Sequence, residues 1–349
     1  MGVLTKAAVL FELDKPLKII NLNLPNPEKG EVLVKIFYSG ICHTQLLEIS
    51  GKNAAGSFVP NLMGHEASGE VIKIGKGVTK VKKGDYVVLS WIKGKGHNVV
   101  PKPISHKDKK INRGSVTTFS NYSVVSENRV FKISKKLPPQ IASLLGCAVP
   151  TGMGLIVNNA KLKKNSSIIV IGCGGIGINA IHASKVLGAK KIIGIDINYN
   201  KKKTILDFGA THFINYNIKN IKNKINDILN NHGSDYVVDT VGRKETMELA
   251  YDLANDKKGH VILCGVPNPL NLKISINPFP LYYGKKLVGT GGGETIPDKD
   301  LKKYSKMYLN KQINLEKMIT KVFSLDEINK AIGFLRKGNC VRVLIDMNR

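Results

Sequence analysis

The feature that most constrains this chain is a cluster of glycines placed directly behind an apolar strand. Residues 168–171 are all apolar and run into Gly172-Cys173-Gly174-Gly175-Ile176-Gly177, after which residues 176–187 carry a helical pattern. Glycine at these spacings permits a tight turn that brings backbone N–H groups against a pyrophosphate at the positive end of the helix. A second strand, 191–195, ends at Asp196, nineteen positions after Gly177 and near the usual offset for the acid that meets an adenosine ribose. Strand, glycines, helix, strand and acid in this order predict a dinucleotide site built from Gly172, Gly174, Gly175, Ile176, Gly177 and Asp196. A carboxylate at the ribose accepts its hydroxyls and repels a 2′-phosphate, which favours NAD over NADP. Cys173, inside the loop, reads as a filler.

The alternation continues with strands at 236–238 and 260–264, and with Ile218, Ile221, Ile225 and Ile228 at helical spacing between them. Alternating strands and helices are the mark of a doubly wound parallel sheet. The first ninety residues have another texture. Short strands at 32–38, 70–74 and 86–89 are punctuated by Pro25, Pro27, Gly75, Gly77 and Gly84, which predicts a β-rich, barrel-like unit. Between 93 and 115 the periodicity dissolves into Lys, Gly, Pro and His, a long surface loop; strands resume over 119–133. Ser324 with Glu327 forms a capping box for a helix reaching about residue 337, and a strand at 341–347 ends the chain.

A length of 349 residues suits two domains. The expected α/β architecture is a β-rich catalytic domain at 1–148 and 288–349, interrupted by a Rossmann domain at 149–287, with the active site in the cleft between them. No apolar run approaches the roughly 18 residues that cross a bilayer, and the amino terminus has no signal-peptide pattern, so a cytoplasmic location is expected. Five cysteines in so long a chain make no disulfide framework and suit a reducing compartment. The net charge of +27 comes almost wholly from lysine, with arginine only at 113, 129, 243, 336, 342 and 349. Scattered lysines with so few arginines argue against a nucleic-acid reader, while attracting acidic small molecules in a general way.

Three separated strings carry the remaining chemistry: Gly40-Ile41-Cys42-His43-Thr44, Gly64-His65-Glu66-Ala67-Ser68-Gly69 and Gly146-Cys147-Ala148-Val149-Pro150-Thr151-Gly152. With Gly75-Lys76-Gly77-Val78, Gly84-Asp85 and the glycine loop in the same order, nearly the whole chain resembles the zinc-containing medium-chain dehydrogenases, the alcohol dehydrogenases among them. The resemblance implies a GroES-like catalytic domain beside the Rossmann domain. It also implies one catalytic zinc held by Cys42, His65 and Cys147, a ligand set that suits the metal and leaves a position open. The enzyme would move a hydride between a small alcohol or its carbonyl and NAD. Glu66 would lie behind the metal. Thr44 would hydrogen-bond the substrate oxygen, His43 and Arg342 would meet the pyrophosphate, Thr151 would support the nicotinamide, and Lys201 would help Asp196 at the ribose. Trp91 and Phe119 would line a pocket for an apolar or ring-shaped substrate. A homo-oligomer is expected on the same resemblance. Two other readings stay open: a polyol, sugar or amino-alcohol dehydrogenase with the same machinery, and a non-catalytic nucleic-acid-binding protein on the same fold.

Two departures stand out. The lobe where relatives hold a second zinc with four cysteines has none between 93 and 115, only His97 and His106. Where the family has an aspartate that orients the ligand histidine, this chain has Gln45, whose carbonyl oxygen is expected to accept in its place.

Overall fold

The computed structural model describes residues 2–52 and 58–349; Met1, from which the first domain is counted, lies outside them. The chain divides into two units, one made of Met1–Pro150 and Ile296–Arg349, the other of Thr151–Thr295.

In the second unit six strands pair in parallel, in the order His212–Asn215, Lys191–Asp196, Ser167–Ile171, Tyr236–Asp239, His260–Leu263 and Lys286–Gly289. Numbered along the chain this is 3-2-1-4-5-6, the doubly wound order of dinucleotide-binding domains. Helices cover such a sheet on both faces, so its central strands are continuous apolar runs, with Ile168, Ile169, Val170 and Ile171 all buried. In the helix Ile221–Leu229, Ile225 and Leu229 face the core; Ile218 stays in the preceding turn. The sixth strand, Lys286–Gly289, pairs with His260–Leu263. The first unit therefore resumes at Ile296, not at 288. Only the short 3-10 turn Phe279–Tyr283 leads into this strand in place of an α-helix, and most of the strand's residues are exposed, so it leaves little periodic signal.

The first unit is built on a sheet whose neighbours run Val130–Lys132, Tyr86–Ser90, Glu66–Ile74, Glu31–Ile41, Arg342–Asp346 and Ile319–Ser324, with Tyr122–Ser126 also paired to Glu31–Ile41. A smaller sheet joins Lys18–Leu24, Val3–Leu10 and Asn61–Leu62. Side chains alternate across a strand. Val32, Val34 and Ile36 accordingly enter one core cluster, while Leu33 enters another with Ala7, Val9 and Leu22. The stretch 93–115 is more than a loop: Ile104–His106 and Lys109–Ile111 form a hairpin whose Ile104 and Ile111 are buried in that second cluster. The capping box at Ser324 and Glu327 is present, and the helix behind it is Ile328–Arg336. Among the described residues no helix is long and apolar enough to cross a membrane.

Candidate metal centre and cofactor loop

Four adjacent strands bring the metal-site residues to one level. Register pairs Ser90 with Glu66, Ala67 with Ser39, and Ile41 with Val343. Cys42 follows the end of Glu31–Ile41 and caps the helix His43–Ile49. His65 immediately precedes the strand Glu66–Ile74. Cys147 lies in the turn between the helices Pro139–Leu144 and Ala148–Gly154, and Ser90 Oγ donates to the carbonyl of Gly146 at 2.6 Å to fix that turn. The glycine before each cysteine region gives way to Glu66. A Cβ on Gly40 would stand 2.6 Å from its Cδ, and one on Gly146 would stand 2.6 Å from its Cβ.

The ligand atoms of Cys42, His65 and Cys147 lie within 4.8 Å of one another, the one such converging group among the described residues. Both cysteines are buried. The buried Nε2 of His65 has no hydrogen-bond partner among the described residues, whereas Nδ1 sits 2.7 Å from Gln45 Nε2. A buried donor or acceptor left unmade is costly, and a cation is what two thiols and this nitrogen would share. The electrostatics agree. The hydrogen bond from Cys147, with help from His65 and Arg342, draws the Cys42 thiol well below its ordinary pKa. The same bond, together with burial, pushes Cys147 up. A divalent cation bound there would take both sulfurs as thiolates. These residues fit a zinc ion.

Arg342 stands behind the ligands. Its guanidinium lies 2.6 Å from Glu66 Oε1 and donates to the carbonyl of Ile41 at 3.1 Å, with both side chains at least 95% buried. Burial raises the pKa of Glu66 and the arginine opposes it; Glu66 and the two thiols in turn hold Arg342 firmly charged against its own burial. Arg342, expected at the pyrophosphate, thus pairs with Glu66 behind the ligands, and its Nε has no hydrogen-bond partner among the described residues. Phe119 differs from expectation. Only 1% exposed, it belongs to the core with Met63 and Ala67 instead of a pocket wall. Trp91 is 37% exposed and meets the His65 ring edge to face at 6.4 Å. Thr44 Oγ1 is 3.5 Å from Cys42 Sγ, and His43 is exposed at the start of the same helix.

Gln45 differs from expectation too. Its Oε1 already accepts from the Cys42 N–H at 2.8 Å, so the group facing His65 is the amide NH₂.

In the second unit, Gly172 has φ +86° and Gly174 caps the helix Gly175–Val186, which carries Ile176 and Gly177 in its first turn. A Cβ on Gly177 would stand 1.9 Å from the carbonyl oxygen of Gly172, a contact only glycine permits. Asp196 is tied to this loop, accepting from the Cys173 N–H at 2.9 Å and from Lys201 Nζ at 3.1 Å, while its other oxygen takes the Asn198 N–H. Lys201 is therefore beside Asp196 as expected, and Lys202 and Lys203 point outward. Cys173 is fully buried, and burial pushes its thiol up, in keeping with a filler. Thr151 Oγ1 is buried with no hydrogen-bond partner among the described residues, as is Thr290 Oγ1. Thr290 follows the sixth strand, on the carboxyl edge where such sheets bind ligands; lying behind an inconspicuous strand, it gave no sequence signal.

Comparison with known proteins agrees with this assembly. The family model "Alcohol dehydrogenase GroES-like domain" matches residues 28–135 and "Zinc-binding dehydrogenase" matches 175–310. The chain is 34% identical to S-(hydroxymethyl)glutathione dehydrogenase of Paracoccus denitrificans, covering 98% of this chain and 99% of that one. It is also 34% identical to alcohol dehydrogenase class-3 of Pisum sativum, with 97% of each covered. Among solved structures, benzyl alcohol dehydrogenase of Acinetobacter calcoaceticus superposes with a TM-score of 0.88 at 27% identity over 99% of both chains.

Proposed function

Because the chain belongs to the zinc-dependent medium-chain dehydrogenase family and is one of its alcohol dehydrogenases, we propose that Cys42, His65 and Cys147 hold its single catalytic zinc. The observation that carries this is the convergence of the three ligand atoms within 4.8 Å. Bound there, zinc supplies Lewis acidity at the alcohol oxygen, and the nicotinamide cofactor is the hydride carrier.

The chain's own residues do the rest. Thr44 Oγ1 takes the proton that leaves the substrate hydroxyl and passes it towards the cofactor ribose. Leu47, one turn further along the helix, has no group to carry it on, so the route ends at ribose and water. His43 meets the pyrophosphate with the backbone of Gly172, Gly174, Gly175, Ile176 and Gly177. Thr151, whose hydroxyl lacks a partner among the described residues, supports the nicotinamide. Asp196 with Lys201 receives the adenosine ribose, which favours NAD over NADP.

Substrates are small alcohols and their carbonyls. Within that class the exposed indole of Trp91 beside His65 supports an apolar or aromatic alcohol. The high positive charge and the relatives named for S-(hydroxymethyl)glutathione support an acidic adduct as a second reading. We place the enzyme in the cytoplasm, where the two ligand thiols stay reduced. We also infer a homo-oligomer joined along the edge strand Lys286–Gly289, beside which Phe279, Tyr282 and Tyr283 are exposed; unpaired edges and exposed aromatics favour a partner strand.

The test is kcat/KM with NAD and with NADP on benzyl alcohol, S-(hydroxymethyl)glutathione, butanediol and sorbitol, with zinc measured on the same preparation. One zinc per chain, a preference for NAD and for benzyl alcohol over sorbitol, and a shift towards NADP in Asp196→Ser are expected. Best rates on sorbitol would replace the substrate reading. Wild-type preference for NADP would remove the role given to Asp196, and two tightly held zincs would remove the single-site assignment.

A further inference from the structure

The proposed zinc site contains a conflict between two hydrogen bonds that share one carboxamide. Gln45 is fully buried. Its Oε1 accepts from the backbone N–H of Cys42 at 2.8 Å, and its Nε2 lies 2.7 Å from Nδ1 of His65. A backbone N–H can only donate, so the Cys42 amide dictates which end of the carboxamide faces it and leaves the NH₂ end for the histidine. An NH₂ group can only donate. A neutral His65 ring must then accept at Nδ1 and carry its proton on Nε2, the nitrogen without a partner on the side of the thiols. A metal ligated through Nε2 needs the opposite tautomer, with the proton on Nδ1.

Resting on the zinc assignment above, we propose that Gln45 is a positioning residue that holds His65 in the tautomer opposed to metal binding, so that zinc enters only as the carboxamide turns over. On loading, the Nε2 proton leaves and Nδ1 gains one, so the ring's proton count is unchanged. The turned amide presents Oε1 to the Nδ1 proton and its NH₂ to the Cys42 N–H. One buried hydrogen bond is thereby lost in the zinc-bound state that is present in the zinc-free one. A carboxylate at this position would accept from both donors at once and lose nothing. This chain is thus built to hold zinc more loosely than its shape allows.

The isosteric substitution Gln45→Glu removes the conflict without changing volume. Competition with a chromophoric chelator should show Gln45→Glu holding zinc roughly ten- to a hundredfold more tightly than wild type, the span typical of partners behind a metal ligand. Equal or weaker retention by a folded Gln45→Glu protein would overturn the proposal. A second measurement needs no variant. In wild-type protein carrying ¹⁵N-labelled histidine, at a pH where the ring is neutral, zinc-free His65 should be protonated at Nε2 and should move its proton to Nδ1 on loading. A proton found on Nδ1 before zinc is added would overturn it. Failure of the zinc assignment itself reads differently: neither protein would then retain zinc, and the His65 signals would not respond to it.

Discussion

Two glutamates in the first unit are equally buried and have opposite fates. Glu127 accepts four hydrogen bonds, from the N–H groups of Thr79, Lys80 and His97 and from the His97 ring, at 2.6–2.9 Å. Burial alone would raise its pKa; the donors from His97, Lys80 and Thr79 more than offset it and bring it down to about 2. Glu66 has an arginine and two thiols for company, and its pKa is raised. The first carboxylate has its acceptor capacity filled, and it fixes the segment that begins the cysteine-free lobe. Lys95 N–H bonded to Asp298, and Lys80 paired with Asp298 over the Phe131 ring, complete that clasp. The second keeps capacity to spare beside the metal ligands. Burial of charge does not by itself mark function; of these two carboxylates, the one beside the metal ligands is the one whose oxygens are without hydrogen-bond partners among the described residues.

The comparison breaks most sharply if the ligands are removed. Cys147→Ser should lower turnover at least about a thousandfold, since the Lewis acid is worth several kcal/mol, and should bring zinc content close to zero while cofactor affinity, read by fluorescence titration, changes little. A variant with wild-type rates and no zinc would end the metal mechanism.

Next in size are the two glutamates themselves. Glu66→Gln strands the Arg342 charge and should cost about 3 kcal/mol of stability together with much of the turnover. Glu127→Gln should cost on the order of 2 kcal/mol, and at a temperature where the protein stays folded its kcat should remain within about threefold of wild type, a barrier change under 1 kcal/mol. Denaturant unfolding paired with initial rates separates them; a Glu127→Gln enzyme that is stable but inactive would erase the distinction.

The smallest effect is the pH dependence of the clasp. Because the folded pKa of Glu127 lies below its ordinary value of 4.5, its contribution is complete above about pH 4.5 and fades as pH falls towards 2. The stability gap between wild type and Glu127→Gln should therefore narrow on acidification between pH 5 and pH 3. A gap that widened would reverse the sign of the argument.

What could be read from the sequence divides along the same physical line. The Rossmann strands and the glycine loop are local patterns, and Asp196 follows at a fixed offset of nineteen positions, whereas Cys42, His65 and Cys147 are joined as a ligand set only by the family resemblance of the three separated strings that carry them. The partner of Arg342 is not local, because Glu66 meets it across the strand Glu31–Ile41, whose neighbours in the sheet come from distant parts of the chain. Phe119 is put at the pocket by the resemblance alone, and its place in the core with Met63 and Ala67 is a tertiary fact that no local pattern carries. The hairpin inside 93–115 rests on two isoleucines among polar residues, too few to set a period. Gln45 was expected to offer its oxygen to His65, and only the position of the Cys42 N–H shows that the oxygen is already taken.

The Glu127 clasp has a consequence for the life of the protein. A lobe fastened by carboxylate and amide needs no metal to keep its shape and offers no sulfur to an oxidant, whereas the reaction centre depends on both. Loss of zinc or oxidation of its thiols should therefore stop turnover while this lobe keeps its shape.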